Sequence, residues 1–220
     1  MKLAAATFDV GGIIYSDDVF KSAIYAAIEN YSGTIDSARF EKVYEDHLKS
    51  HSGSLRSKLC MEFFGSLELK GEIMEFATAR WNFEPSDMYG DAKATITELK
   101  ATGMKIGLVA NQPKSAVDSL KRDGIFDLVD FLGISAVVGL EKPDPRIFEL
   151  ALAELNTKAD ETIHIGNRLD TDVLPAKALG FKTVWILRGE ANPTPSQEDL
   201  KVPDIVAKDL IGLVDQIAKL

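Results

Sequence analysis

The sequence is short of the residues that build disulfides and membrane spans. It has a single cysteine, Cys60, which excludes an internal disulfide and suits a reducing cytoplasm. No apolar run approaches the ~18 to 20 residues that cross a bilayer. The apolar run before Asp9 is about eight residues, which is short for a secretory signal peptide. We therefore expect a cytoplasmic protein without a membrane segment.

Positive charge is also scarce. The chain has 25 Lys and Arg against 34 Asp and Glu, for a formal net charge of −9. The basic residues are dispersed and form no stripe, so we expect no nucleic-acid partner. An acidic protein still binds an anion where a few lysines, backbone amides or a metal ion make a locally positive pocket.

What the sequence does contain is an alternation of apolar strands and helices. Predicted strands cover residues 2–9, 104–111, 132–138, 162–166, 182–187 and 204–207. Predicted core helices cover 92–103, 114–124, 145–156, 172–180 and 208–220. This alternation is typical of a parallel sheet covered on both faces. We predict a doubly wound, Rossmann-like α/β core formed by residues 1–15 and 86–220.

The region between the first two strands has a different pattern. Apolar residues recur at three- and four-residue spacing in four stretches, which indicates amphipathic helices. These stretches are residues 17–31, 37–51, 54–67 and 71–83. We therefore predict that residues 16–85 form an inserted α-helical cap domain.

Polar residues follow several predicted strands at their carboxyl ends. In chain order they are Asp9, Gly11, Gly12, Asn111, Gln112, Lys142, Asn167, Asp170 and Asp172. Parallel strands with right-handed crossovers bring these ends to one edge of the sheet, where ligands bind. His164, inside an apolar strand, is expected to be a core residue.

Four stretches in this order resemble the motifs of the haloacid dehalogenase superfamily, most of whose members are phosphohydrolases. They are FDVGGII, GLVANQ, GLEKPDPRIF and IGNRLDTDVLPAKALGFKTVWI. The resemblance covers essentially the whole chain, and the helical insertion is similar to the first class of cap. It implies a hydrolase of a small phosphorylated metabolite.

The resemblance also implies roles for individual residues. Asp9 would attack phosphorus and form an aspartyl-phosphate, and Lys142 would offset the charge of the transferred group. The backbone amides of Gly11 and Gly12 would contact the phosphate. Asn111 and Gln112 would donate amide hydrogens to the phosphate oxygens.

Mg²⁺ is the cofactor that the resemblance implies. Its protein ligands would be Asp9, the carbonyl of Gly11 and the side-chain oxygen of Asn167. The resemblance also assigns Asp172 to the metal site, where it would bind Lys142 or a metal-bound water.

Three positions depart from the family pattern. The second acid of the first motif is Gly11, the hydroxyl of the second motif is Ala110, and the aspartate of the fourth motif is Asn167. The first loss removes the group that exchanges protons with the leaving alcohol and with water. Mg-dependent phosphatase activity is the first hypothesis. A metal-independent 2-haloacid dehalogenase and a catalytically impaired binding protein of the same fold stay as alternatives.

Overall fold

A computed structural model describes residues 3–50 and 54–220. Its centre is one sheet of six strands in the order β3-β2-β1-β4-β5-β6, with every neighbouring pair parallel. The strands are β1 Ala5–Phe8, β2 Lys105–Ala110, β3 Phe131–Ile134, β4 Thr162–Gly166, β5 Lys182–Ile186 and β6 Ile205–Ala207. The predicted doubly wound α/β fold is confirmed.

The first strand lies in the middle of this sheet. Every residue of β1 is buried, because β2 and β4 flank it and helices cover the faces. The strand order reverses at β1, and open α/β sheets bind ligands in the crevice beyond the strand ends at such a point. Asp9, the residue after β1, therefore stands where the topology favours a binding site.

Ten helices accompany the strands in the described part of the chain. They are α1 Asp18–Ser32, α2 Ser37–Ser50, α3 Leu55–Phe64, α4 Lys70–Arg80, α5 Ala92–Ala101, α6 Ala116–Arg122, α7 Ser135–Val138, α8 Pro145–Leu155, α9 Leu174–Ala178 and α10 Leu213–Ile217. Within those residues, no helix is both long and apolar enough to cross a membrane.

Helices α1 to α4 lie where the helical insertion was predicted, and α1 packs against α4. Ile24 of α1 and Leu59 of α3 belong to the same hydrophobic cluster as Phe8 of β1. The insertion therefore shares its apolar contacts with the sheet. The division of the chain at residues 16 and 85 stays a prediction. Of the predicted helix 37–51, the last residue, His51, lies outside the described residues.

Three predicted elements differ from the structure. The strand predicted at 132–138 ends at Ile134 and continues as α7, because a short apolar run does not distinguish strand from helix. The helix predicted at 172–180 is a π-helical turn, Leu169–Val173, followed by α9. The last helix is shorter than predicted. Gly212, with φ of 69°, has a left-handed backbone that a continuous α-helix does not allow.

Candidate active site

Three of the predicted site residues meet beyond the carboxyl end of β1. The Lys142 ammonium lies 2.8 Å from Asp9 Oδ1 and donates a hydrogen bond to Asp172 Oδ1. The Lys142 side chain is 2% exposed. Because three loops from separate parts of the chain supply these groups, the parallel topology itself assembles the site.

Burial and mutual charge perturb all three groups. Burial raises the pKa of Asp9 from 3.8 to about 6, and the nearby Lys142 offsets only part of that effect. Burial also opposes ionisation of Asp172, but the Lys142 charge and His164 hold its pKa well below the usual value. Burial favours a neutral Lys142, but the two carboxylates raise its pKa above the usual value. Asp172 is therefore the permanent counter-ion of Lys142, and Asp9 is the carboxylate with the weaker compensation.

Asp172 is held from behind. Its Oδ2 accepts a hydrogen bond from the backbone N–H of Arg168 at 2.9 Å, and His164 Nε2 lies 3.5 Å from its Oδ1. His164 is buried, bonds Thr7 through Nδ1 at 2.9 Å, and has a pKa lowered by burial. Both oxygens of Asp172 are engaged within the protein. Its predicted place in the metal group, as a residue that holds Lys142 or a metal-bound water, stays a prediction.

Asn111 secures the backbone of Lys142. Its Oδ1 accepts from the Lys142 N–H, and its Nδ2 donates to the Lys142 carbonyl, both at 2.8 Å. This pair of hydrogen bonds connects the loop after β2 with the segment that carries the lysine. A contact of Asn111 with phosphate would have to use its second amide hydrogen, and stays a prediction.

Gln112 lies beside the glycine turn that follows Asp9. Its side chain is buried, with Nε2 3.1 Å from where a Cβ on Gly11 would stand. Its Oε1 is buried without a hydrogen-bond partner in the described part of the chain. Buried polar atoms in native proteins usually have a hydrogen-bond partner, so this oxygen is a candidate contact for a ligand or a water.

The glycine turn itself is tightly packed. Gly12 has φ of 66° and donates its N–H to the Tyr15 carbonyl at 2.7 Å. Of the two amides predicted to bind phosphate, only that of Gly11 is therefore left for a ligand, and this role stays a prediction. Arg188 donates to the Gly12 carbonyl at 2.8 Å and pairs with Asp91 at 2.8 Å. The loop that follows β5 thus supports the turn.

The sequence did not single out Asp17, which immediately precedes α1. Its Oδ2 accepts hydrogen bonds from Asn167 Nδ2 at 2.8 Å and from the Glu190 N–H at 2.7 Å. Burial, and then the charge of Glu190, raise the pKa of Asp17 well above its usual value. In the sequence Asp17 is simply an acid before a helix, because its contacts depend on how the loop after β5 folds.

A cavity of about 220 Å³ opens over this edge of the sheet. Its floor comes from the predicted residues Asp9, Gly11, Asn111, Gln112, Lys142 and Asn167. Side chains of the helical insertion form much of the opposite wall, among them Phe20, Arg56 and Trp81. The site therefore lies between the sheet and the insertion, and its volume suits a small ligand.

The charge around the cavity is dominated by carboxylates. Lys142 is buried and shared by Asp9 and Asp172, and the partly buried Arg168 is shared by Asp170 and Glu190. Asp17 adds an acid for which the described residues provide no ion pair. Arg56 also lines the cavity, and a further cation would favour the entry of a phosphate.

The residues present fit a magnesium ion. Asp9 Oδ1 is occupied by Lys142 and by the Val10 N–H at 2.7 Å, which leaves Oδ2 for a ligand. Asn167 has its amide nitrogen bonded to Asp17 and, at 3.2 Å, to the Arg188 carbonyl, which leaves Oδ1. Mg²⁺ prefers such oxygen donors and keeps several waters, so it needs no cage of many side chains. Among the described residues no three His, Cys, Asp or Glu side chains form such a cage.

This chain resembles known proteins in both sequence and fold. A family model described as haloacid dehalogenase-like hydrolase matches residues 3–180. The glyceraldehyde 3-phosphate phosphatase of Methanocaldococcus jannaschii is 36% identical over 127 residues, which are 57% of this chain and 54% of that protein. The match thus spans about half of that relative's length. The ribulose-1,5-bisphosphate 5-phosphatase of Halopiger xanaduensis is 28% identical over 174 residues, 78% of this chain and 73% of that protein.

Solved structures show the same architecture. A protein described as a predicted phosphoglycolate phosphatase from Haemophilus somnus has a TM-score of 0.76 over 98% of each chain, at 18% identity. A doubly wound sheet with a buried, lysine-paired carboxylate at its switch point defines an α/β protein with a candidate site at its strand ends. The family model decides the membership: the chain belongs to the haloacid dehalogenase-like hydrolase family.

Proposed function

We propose that this protein hydrolyses a small phosphomonoester through nucleophilic attack by Asp9, with Mg²⁺ as its cofactor. The observation that carries the proposal is the pairing of Asp9 with Lys142 at 2.8 Å, at the strand end where the fold binds ligands. The phosphatase names of the curated relatives support the same reaction. The setting is proposed to be the cytoplasm, with a small phosphorylated metabolite as substrate and no nucleic-acid partner.

The reaction follows from the atoms of the site. Asp9 Oδ2 attacks phosphorus, the ester P–O bond breaks, and the alcohol oxygen leaves with a proton taken from solvent. Water then attacks the aspartyl-phosphate, releases phosphate and restores the Asp9 carboxylate. Lys142 stays protonated and balances the negative charge of the transferred group. When bound, Mg²⁺ would supply further positive charge at the phosphate, held by Asp9, the Gly11 carbonyl and Asn167.

Two features limit the rate or the range of substrates. Gly11 has no acid to exchange protons with the leaving group, and such help is usually worth about 10² to 10⁴ in rate. The insertion contributes Arg56 and Trp81 to the cavity wall, and these side chains would select the substrate. Water exclusion would come from the same wall.

The test is hydrolysis of a panel of phosphomonoesters with Mg²⁺ or with EDTA. The panel contains p-nitrophenyl phosphate, glyceraldehyde 3-phosphate, phosphoserine and phosphoglycolate. We expect phosphate release that requires Mg²⁺ and disappears in Asp9→Asn, while the exposed Asp127→Asn stays active as the matched control. Equal activity in Asp9→Asn would contradict the proposed nucleophile. Halide release from 2-haloacids in EDTA would support the dehalogenase, and no turnover of any substrate would support a binding protein.

A further inference from the structure

The carboxylate of Asp17 fills the space above the glycine turn. Its Oδ1 lies 2.4 Å from where a Cβ on residue 11 would stand, and its Oδ2 lies 2.6 Å from the corresponding point on residue 12. A Cβ at Gly189 would stand 2.3 Å from Oδ2. Real Cβ atoms do not approach other atoms so closely. The three glycines and Asp17 therefore form one packed unit at the edge of the cavity.

The hydrogen bonds of this unit fix the orientation of Asn167. Its Nδ2 donates to two acceptors, Asp17 Oδ2 at 2.8 Å and the Arg188 carbonyl at 3.2 Å. The reversed amide would place an oxygen against both acceptors, so the network selects this orientation. Asn167 Oδ1 is thereby the atom left for a ligand. Gln112, whose Nε2 lies beside Gly11, has a buried Oε1 without a hydrogen-bond partner in the described part of the chain.

We propose that Asp17 places beside the cation site the acid group that Asn167 lacks, and that it holds Asn167 with its oxygen available to the cation. This inference rests on the proposed function, because the cation is the Mg²⁺ assigned there. Asp17 thus acts as a positioning residue. Gly11 and Asn167, two departures from the family pattern, are related because both lie against Asp17.

Positions 17 and 167 are too close together for both to carry an ionised acid. An aspartate at 167 would bring an oxygen to the place of Nδ2, 2.8 Å from Asp17 Oδ2. Two carboxylates at that distance repel each other unless one is protonated. Exchanging the two residues keeps a donor and an acceptor across this contact, but it also sets a carboxylate at position 167 against the Arg188 carbonyl and an amide nitrogen at position 17 against the Glu190 N–H. This predicts strong coupling between positions 17 and 167 in a double-mutant cycle.

The experiment titrates MgCl₂ into the metal-free full chain and measures binding by calorimetry and the accompanying rise in melting temperature. We expect Asp17→Asn to lower Mg²⁺ affinity by about 10- to 100-fold, the usual effect of losing a residue that supports a metal ligand. The exchanged variant, Asp17→Asn with Asn167→Asp, should recover only part of the affinity, because its contacts with the Arg188 carbonyl and the Glu190 N–H are unfavourable. Asp18→Asn, an exposed neighbouring acid, should bind as the wild type does. Without metal, Asn167→Asp alone should melt below both the wild type and the exchanged variant.

The outcomes separate this inference from the proposed function. Wild-type Mg²⁺ affinity in a folded Asp17→Asn variant would overturn the inference, even if the wild type hydrolyses phosphomonoesters. A wild type that binds no Mg²⁺ would overturn it as well. Conversely, Asp17-dependent Mg²⁺ binding without hydrolysis of any phosphomonoester would support the inference and reject the phosphatase.

Discussion

Replacing the nucleophile should make the metal-free protein more stable. Asp9 is a buried carboxylate that shares Lys142 with Asp172, so its own charge is only partly compensated. Asn is nearly isosteric and keeps an oxygen that accepts from Lys142 and from the Val10 N–H. Lys142 also keeps Asp172 as its counter-ion. The substitution therefore removes a buried charge without leaving another charge unpaired.

The size of the effect follows from the pKa of Asp9. Folding raises this pKa from 3.8 to about 6, and each unit corresponds to about 1.36 kcal/mol. The folded protein holds the proton up to about pH 6, whereas the unfolded chain releases it near 3.8. The wild type therefore loses stability as the pH rises between these values, and the loss is complete above them. Asp9→Asn should be more stable by about 3 kcal/mol at pH 8 and by about half of that at pH 5.

Urea unfolding in EDTA at the two pH values measures this difference, with Asp127→Asn as the exposed control. For a chain of this length the gain at pH 8 corresponds to a melting temperature about 6 to 12 °C higher. Excess Mg²⁺ should narrow the gap, because it binds the wild type better than the variant. A variant that is less stable than the wild type at pH 8, or a gain that does not change with pH, would refute the reasoning.

Three further predictions concern the groups around Asp9. Lys142→Met leaves two buried carboxylates without their cation and should cost about 3 to 5 kcal/mol, measured by urea unfolding at pH 8; a smaller cost at low pH would confirm the electrostatic origin. Asn111→Ala removes both hydrogen bonds to the Lys142 backbone, so stability should fall by about 1 to 3 kcal/mol and kcat should fall more than KM rises. Gly12→Ala places a Cβ 1.9 Å from Asn167 Nδ2, whereas Gly212→Ala meets nothing within 4 Å at a similar φ. Both variants carry the left-handed penalty of about 1 kcal/mol, so any larger loss in Gly12→Ala measures the packing of the turn.

The sequence predicted the sheet and the core of the site because both depend on local patterns. Apolar strands separated by helices specify a parallel sheet, and a parallel sheet brings Asp9, Lys142 and the Asp172 turn to one edge without further information. The boundaries that were wrong lie at α7, where a short apolar run did not distinguish strand from helix, at the π-helical turn before α9, and at α10, where the left-handed Gly212 interrupts the predicted helix. The last of these depends on the φ angle of a single residue.

The contacts of individual polar atoms could not be predicted in this way. Asn111 was predicted to contact a phosphate, and its two hydrogen bonds to the Lys142 backbone were not predicted. Which of two partners an amide chooses depends on a loop more than thirty positions away, and that loop has no periodic pattern. The same holds for Arg188, which follows β5 and whose guanidinium donates a hydrogen bond to the Gly12 carbonyl.

Counting motif departures one at a time misjudges such a site. Taken separately, Gly11 removes an acid and Asn167 removes a charge, and both losses should weaken the site. In the folded protein these positions lie against one carboxylate, Asp17, which needs the space that Gly11 leaves and the donor that Asn167 provides. Restoring either family residue alone would therefore bring a carboxylate or a Cβ into conflict with Asp17. Asp17→Asn is the informative variant, because it removes the acid group while Gly11 and Asn167 stay in place.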